Sequence, residues 1–141
     1  MRRHEQREQV FKLLFRIEFN PSKDMPEQIQ LFCNGFGVEE DEKLINVEDK
    51  ESIADRFDLI YQKIEQIDEL INQNIEGWDT ARIGKVELTV LRLAIYEMRF
   101  DVDVPESVAI DEAVEIAKKY GQEGAGGFVN AILAKIAKIG D

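Results

Sequence analysis

The sequence predicts an all-α fold, and three observations carry that expectation. Ile53, Phe57, Ile60, Ile64, Ile67 and Ile71 alternate spacings of four and three, which is the seam of a helix that needs a helical partner. Residues 85–100 are apolar on nearly every side (Val86, Leu88, Val90, Leu91, Leu93, Ala94, Ile95, Met98), the pattern of a buried central helix. No segment shows a strand's strict alternation over a length that competes with these periods.

The elements follow in order. Val10, Leu13, Leu14 and Ile17, widened by Phe11 and Phe15, form one face of a first helix that Asn20-Pro21-Ser22 breaks. Asp24 is placed to cap a short second helix with Pro26 in its first turn and Ile29, Phe32 and Cys33 on its apolar side. Gly35 and Gly37 end it, and residues 38–50 read as an acidic connector. The isoleucine seam comes next and is interrupted at Gly77, after which Asp79 caps a short turn toward Ile83-Gly84. Beyond the central helix, Val104-Pro105 forces an extended step and then a helix start. Ile110, Ala113, Val114 and Ala117 form that helix's face, and Gly121 stops it. Residues 121–127 read as a flexible glycine-rich loop feeding a last helix from Phe128, with Val129, Ile132, Leu133 and Ile136. There is no repeat at solenoid spacing. The expectation is one domain over residues 1–141, with helical subdomains of about 1–76 and 77–141 that are each too small to be stable alone.

Composition narrows the function. The chain has 141 residues, 44% hydrophobic and 33% charged, so it can bury a core. Its 18 Lys and Arg against 29 Asp and Glu give a formal charge of -11. A general polyanion binder is disfavoured, and any nucleic-acid site must be a local basic patch on an acidic body. A single Cys and a single His exclude an internal disulfide, a cysteine metal cluster and a two-histidine metal site. No metal and no cofactor is expected. The first residues lead into an amphipathic stretch rather than a signal peptide, and no run approaches the roughly 20 apolar residues of a membrane span. A cytoplasmic, membrane-independent protein is the expectation.

Catalysis finds little support. His4 lies near the terminus, no nucleophile signature surrounds a Ser or Cys, and Cys33 falls on an apolar helix face. The carboxylates are spread over acidic surfaces, and the run Glu39-Glu40-Asp41-Glu42 lacks the Gly and spacing of a calcium loop. The glycine stretch Gly121-Gln122-Glu123-Gly124-Ala125-Gly126-Gly127 lacks the Lys-Ser/Thr ending of a P-loop and follows no strand. It is either a plain connector or a loop that offers backbone N–H groups to a phosphate at the following helix N-terminus. No enzyme is expected.

The first turns differ from the rest of the chain. Arg2, Arg3, His4 and Arg7 concentrate positive charge there, and Arg3 and Arg7, four apart, share a helical face. Cations at a helix N-terminus oppose its dipole, so the cluster costs helix stability. Two readings stay open: a site for an anionic partner, or a solvated end partly neutralised by Glu5 and Glu8.

Several stretches together resemble the NusB family of bacterial transcription antitermination factors. Arg2-Arg3, Arg7-Glu8 and Leu13-Leu14-Phe15 are similar to the family's opening. Val90-Leu91-Arg92-Leu93-Ala94-Ile95-Tyr96-Glu97-Met98, Val104-Pro105, the run from Val108 to Lys118, and Phe128-Val129-Asn130 follow in the family's order and spacing. The resemblance implies two small helical bundles without catalysis. It further implies binding of boxA RNA together with the ribosomal small-subunit protein NusE, and a place in the RNA polymerase antitermination complex that reads through terminators, notably in ribosomal RNA operons. By the same resemblance Arg2, Arg3, His4, Arg7 and Phe128 are RNA-binding candidates, and Glu87 faces NusE. Phe128 either stacks on an unpaired base or serves as core, and its helical spacing to Ile132 and Ile136 gives core the larger share. Arg92, in an apolar helix, reads as a buried or partner-paired anchor. The competing reading is a purely protein-binding helical adaptor whose acidic surface engages a basic partner and whose RNA contact is incidental.

Overall fold

The computed structural model describes residues 1–34, 45–75 and 82–139. Among these, the backbone forms seven α-helices and two short 3-10 turns, with no strand. The all-α expectation holds. Gly35, Gly37, the acidic run Glu39–Glu42, Gly77 and Asp79 lie outside the described residues. The chain packs as two compact units, Met1–Tyr61 and Gln62–Asp141.

In the first unit, α1 spans Arg3–Phe15 and buries Val10, Phe11, Leu13 and Leu14. The apolar stripe runs on to Ile17, but the α-helix stops at Phe15 and tightens into a 3-10 turn, Arg16–Phe19. Asn20 Nδ2 donates to the Arg16 carbonyl at 2.8 Å and closes that turn. The Arg16 guanidinium donates to the Gln28 carbonyl at 3.0 Å and lies 6.0 Å from the Phe32 ring centroid, tying the turn to α2 (Met25–Cys33). Asp24 occupies the cap position of α2, yet its side chain makes no capping bond. Its backbone (φ -93°, ψ -8°) already belongs to the 3-10 turn Ser22–Asp24 that feeds the helix. Helix α3 (Val47–Gln62) begins inside the stretch read as a connector. Its start is capped by Asn46, whose Oδ1 accepts from the Asp49 N–H at 2.8 Å.

The isoleucine seam is carried by two helices rather than one. Lys63 (φ -104°, ψ 6°) leaves helical geometry, and α4 (Ile64–Gln73) follows it. Helix α4 packs on α5 (Lys85–Phe100), so it belongs with the C-terminal half. The division therefore falls after Tyr61, ahead of the glycine-bearing stretch near Gly77 where the sequence suggested it.

Helix α5 is the core of the second unit: every residue from Leu88 to Glu97 is buried, and α4, α6 (Glu106–Tyr120) and α7 (Ala125–Ile139) all pack on it. Its one buried arginine is anchored as the sequence suggests. Arg92 Nε and one terminal nitrogen donate to the two carboxylate oxygens of Asp68 on α4, both at 2.8 Å. Pro105 (φ -60°, ψ 142°) makes the extended step before α6, and Gly121 ends that helix.

The last helix corrects the sequence. It begins at Ala125, three residues before Phe128, so Gly126 and Gly127 are helical rather than parts of a flexible loop. Gly126 is there because the helices are close. A Cβ on it would come within 2.9 Å of Lys118 Cγ, whose stem crosses α7 at that point. Among the described residues, only Gly124, at φ +90°, uses glycine's access to the left-handed region. Ile132 and Ile136 are buried as expected, whereas Phe128 is 38% exposed.

Candidate nucleic-acid and partner interface

The N-terminal ends of α5 and α7, with the α6–α7 turn, line an open cleft of about 670 Å³ in the second unit. Its walls include Arg82, Lys85 and Glu87 from the start of α5, and Tyr120, Glu123 and Phe128 from the α6–α7 turn and the start of α7. Two glycines set its floor. A side chain on Gly84 would collide with the Glu87 carboxylate. A Cβ on Gly121 would lie 2.6 Å from Ala125 Cβ, 2.7 Å from the Ala117 carbonyl oxygen and 3.4 Å from Glu87 Oε1. The Glu87 carboxylate therefore sits between two bare backbone positions, while the Phe128 ring offers an exposed apolar face.

The glycine-rich turn presents fewer backbone donors than a free loop would. Phe128 N–H already donates to the Gly124 carbonyl at 3.0 Å, and Ala125 N–H to that of Gln122 at 3.0 Å. Phe128 is thus not the helix N-terminus that the sequence suggested. The first-turn N–H groups without an intrahelical acceptor are those of Gly126 and Gly127. The positive dipole end stays at this turn, where α7 carries no acidic residue.

The N-terminal candidates form their own group in the first unit. Arg2, Arg3 and His4 are exposed, and Arg7 is half-buried and engaged by a neighbour. His4 Nε2 lies 3.4 Å from Glu8 Oε2, one helical turn on. Arg2 is the N-cap of α1 and makes no side-chain capping bond. Gln6 Nε2 donates to Ser52 Oγ on α3 at 2.7 Å, and the Met1 nitrogen lies 3.8 Å from Asp49 Oδ2.

Of the residues singled out in the sequence, Glu87 and Phe128 are thus brought to one cleft from distant positions. Arg82, Lys85, Tyr120 and Glu123 were not foreseen there. Arg82 and Lys85 flank the Ile83-Gly84 step, and that pairing of charge with a helix start was the signal available. Cys33 is a free, half-buried thiol. Among the described residues, no group of His, Cys, Asp and Glu is placed to hold a metal ion, and no helix is long and apolar enough to cross a membrane.

Against known families, the model described as the NusB family matches residues 4–138. The chain belongs to the NusB family. Transcription antitermination protein NusB of Agathobacter rectalis is 42% identical, over 97% of this chain and 100% of its own length. The protein of the same name from Geobacillus kaustophilus is 38% identical, over 96% of this chain and 95% of its own. Among solved structures, T. maritima NusB superposes with a TM-score of 0.82 at 38% identity, covering 98% of this chain and 92% of that one. A crystal structure of the antitermination factors NusB and NusE in complex with dsRNA gives a TM-score of 0.74 at 27% identity, with 99% of each chain covered. The NusB family is one of transcription factors, and it brings no catalytic assignment to the cleft.

Proposed function

We propose that this NusB-family chain is a non-catalytic, cytoplasmic transcription antitermination factor of a single domain. It binds boxA RNA together with NusE and supports read-through by RNA polymerase, notably in ribosomal RNA operons. The observation that carries this reading is the cleft, where a residue expected to meet RNA, Phe128, and one expected to meet the protein partner, Glu87, line the same walls. An exposed aromatic ring beside a helix N-terminus suits an unpaired base and its phosphate. A carboxylate held between two glycines suits a cationic side chain of a basic ribosomal protein. Arg2, Arg3, His4 and Arg7 supply the local positive charge that an acidic chain needs to hold RNA.

The test is affinity for single-stranded boxA-like RNA, with and without NusE, across a salt series. Replacing Arg3 and Arg7 together by Ala weakens binding and lowers the salt slope by about 1.4, at about 0.7 for each phosphate no longer neutralised. Unchanged affinity at low salt removes the N-terminal site. Glu87→Lys weakens association with NusE while helicity is retained. A protein that shows no sequence-selective RNA binding, alone or with NusE, is instead the protein-binding adaptor.

A further inference from the structure

The arginine-bearing turn of α1 opens on an uncapped, cation-rich end, which Glu5 in the same turn offsets only in part. Its N-cap, Arg2, makes no capping bond, and Arg3 and Arg7 place cationic side chains near the positive end of the helix dipole. Yet the turn is formed, with Gln6 N–H donating to the Arg2 carbonyl at 2.9 Å. Part of what holds it comes from another helix. Ser52 Oγ on α3 accepts from Gln6 Nε2 at 2.7 Å, and Asp49, one turn earlier on α3, lies 3.8 Å from the Met1 nitrogen. The receiving end of α3 is itself fixed, because Asn46 caps it through the Asp49 N–H. Gln6 stands three residues after Arg3 and next to Arg7, so pinning its side chain sets the rotation of the face those arginines share.

We propose that Ser52, through its hydrogen bond to Gln6, is a positioning residue for RNA binding: it presets the first two turns of α1 so that the arginines meet phosphate from an ordered helix. The proposal rests on the reading of Arg2, Arg3 and Arg7 as the RNA contact. A neutral hydroxyl and amide suit this task, since neither competes with phosphate for a guanidinium. Ordering the arm in the free protein removes that entropy cost from the binding step.

The experiment compares the full-length protein with Ser52→Ala, Gln6→Ala, the double variant, Ser52→Thr and the Arg3→Ala/Arg7→Ala pair. It measures affinity for single-stranded boxA-like RNA over a salt series, and amide hydrogen exchange at Gln6 and Arg7 in the free proteins. Ser52→Ala and Gln6→Ala each weaken RNA binding about three-fold, the scale of one exposed hydrogen bond, and the double variant loses no more than either. The salt slope stays that of the unaltered protein because every arginine remains, exchange at Gln6 and Arg7 accelerates, and Ser52→Thr restores both readouts. Unchanged affinity in Ser52→Ala, beside a loss in the arginine pair, overturns the latch and leaves the RNA site in place. Unchanged affinity in both removes the site, and the latch with it.

Discussion

Removing the carboxylate of Asp68 tests a two-bond polar tie between α4 and α5. Arg92 enters the core with only 9% of its side chain exposed, while Asp68 keeps 24% of its own. Both oxygens of the carboxylate are used, each at 2.8 Å. Breaking a fully buried pair by deleting one partner costs about 3–5 kcal/mol, most of it for the charge left behind. Two facts lower that here: Asp68 is partly in water, and Arg92 makes a further interaction besides the pair. Asp68→Ala should therefore cost about 2 kcal/mol, which for a chain of this length lowers Tm by about 7 °C. Thermal melting by circular dichroism reads the loss directly. The second arm is Arg92→Met in both backgrounds. With the guanidinium gone, Asp68→Ala should cost under about 0.5 kcal/mol, because nothing is left stranded. A fall in Tm of less than about 2 °C for Asp68→Ala, or an equal cost in both backgrounds, would refute the assignment of Arg92 as a buried anchor that depends on Asp68.

Three further substitutions separate the roles of Gly121, of Gly127 on α7, and of the aromatic ring in the cleft. Gly127→Ala fills open space on a helix and should raise stability by about 0.5–1 kcal/mol, seen as a higher denaturant midpoint with unchanged slope. Gly121→Ala drives a methyl against the Ala117 carbonyl oxygen and Ala125 Cβ, neither of which can swing away, and should cost about 1–3 kcal/mol in the same assay. Phe128→Leu keeps an apolar side chain at an exposed position, so Tm should move by less than about 2 °C. Loss of the ring should still weaken boxA-like RNA binding by about five-fold or more in a titration, and unchanged affinity would return Phe128 to a bystander.

The parts of the fold legible in the sequence are those decided by burial alone. The stretch from Lys85 to Phe100 is apolar on nearly every side because helices cover it on several, and its limits fall where the sequence places them. Pro105 and Gly121 mark α6 for equally local reasons, a fixed φ and a helix stop. The misplaced boundaries depend on what packs where. A four-and-three spacing of isoleucines continues through Lys63 although the backbone leaves helical geometry there, and nothing in the spacing marks that break. Gly126 and Gly127 read as loop by composition, but one is small to admit the Lys118 stem, a reason that lies in another helix. Asn46 with Asp49 was a readable cap that the surrounding acidic run obscured. For the candidate site, residue types pointed to the arginine cluster, while the resemblance supplied Glu87 and Phe128. That these two share a cleft depends on Gly84 and Gly121 leaving room, and no spacing in the chain records it.

The continuous burial of α5 from Leu88 to Glu97 has a consequence for how the protein is made. When the ribosome has just added Phe100, the helix is complete in sequence, but α6 and α7, which supply much of its cover, have yet to be synthesised. About 40 residues separate the end of α5 from the end of α7, and at about 5–20 residues per second that leaves an apolar segment waiting for about 2–8 s. The exit tunnel shelters part of this interval, and general chaperones are suited to the remainder. A chain that terminates before α7 would not yield a smaller working unit. It would release α5 with an apolar face open to water, so early termination should produce aggregates and proteolytic fragments instead of a soluble truncated protein.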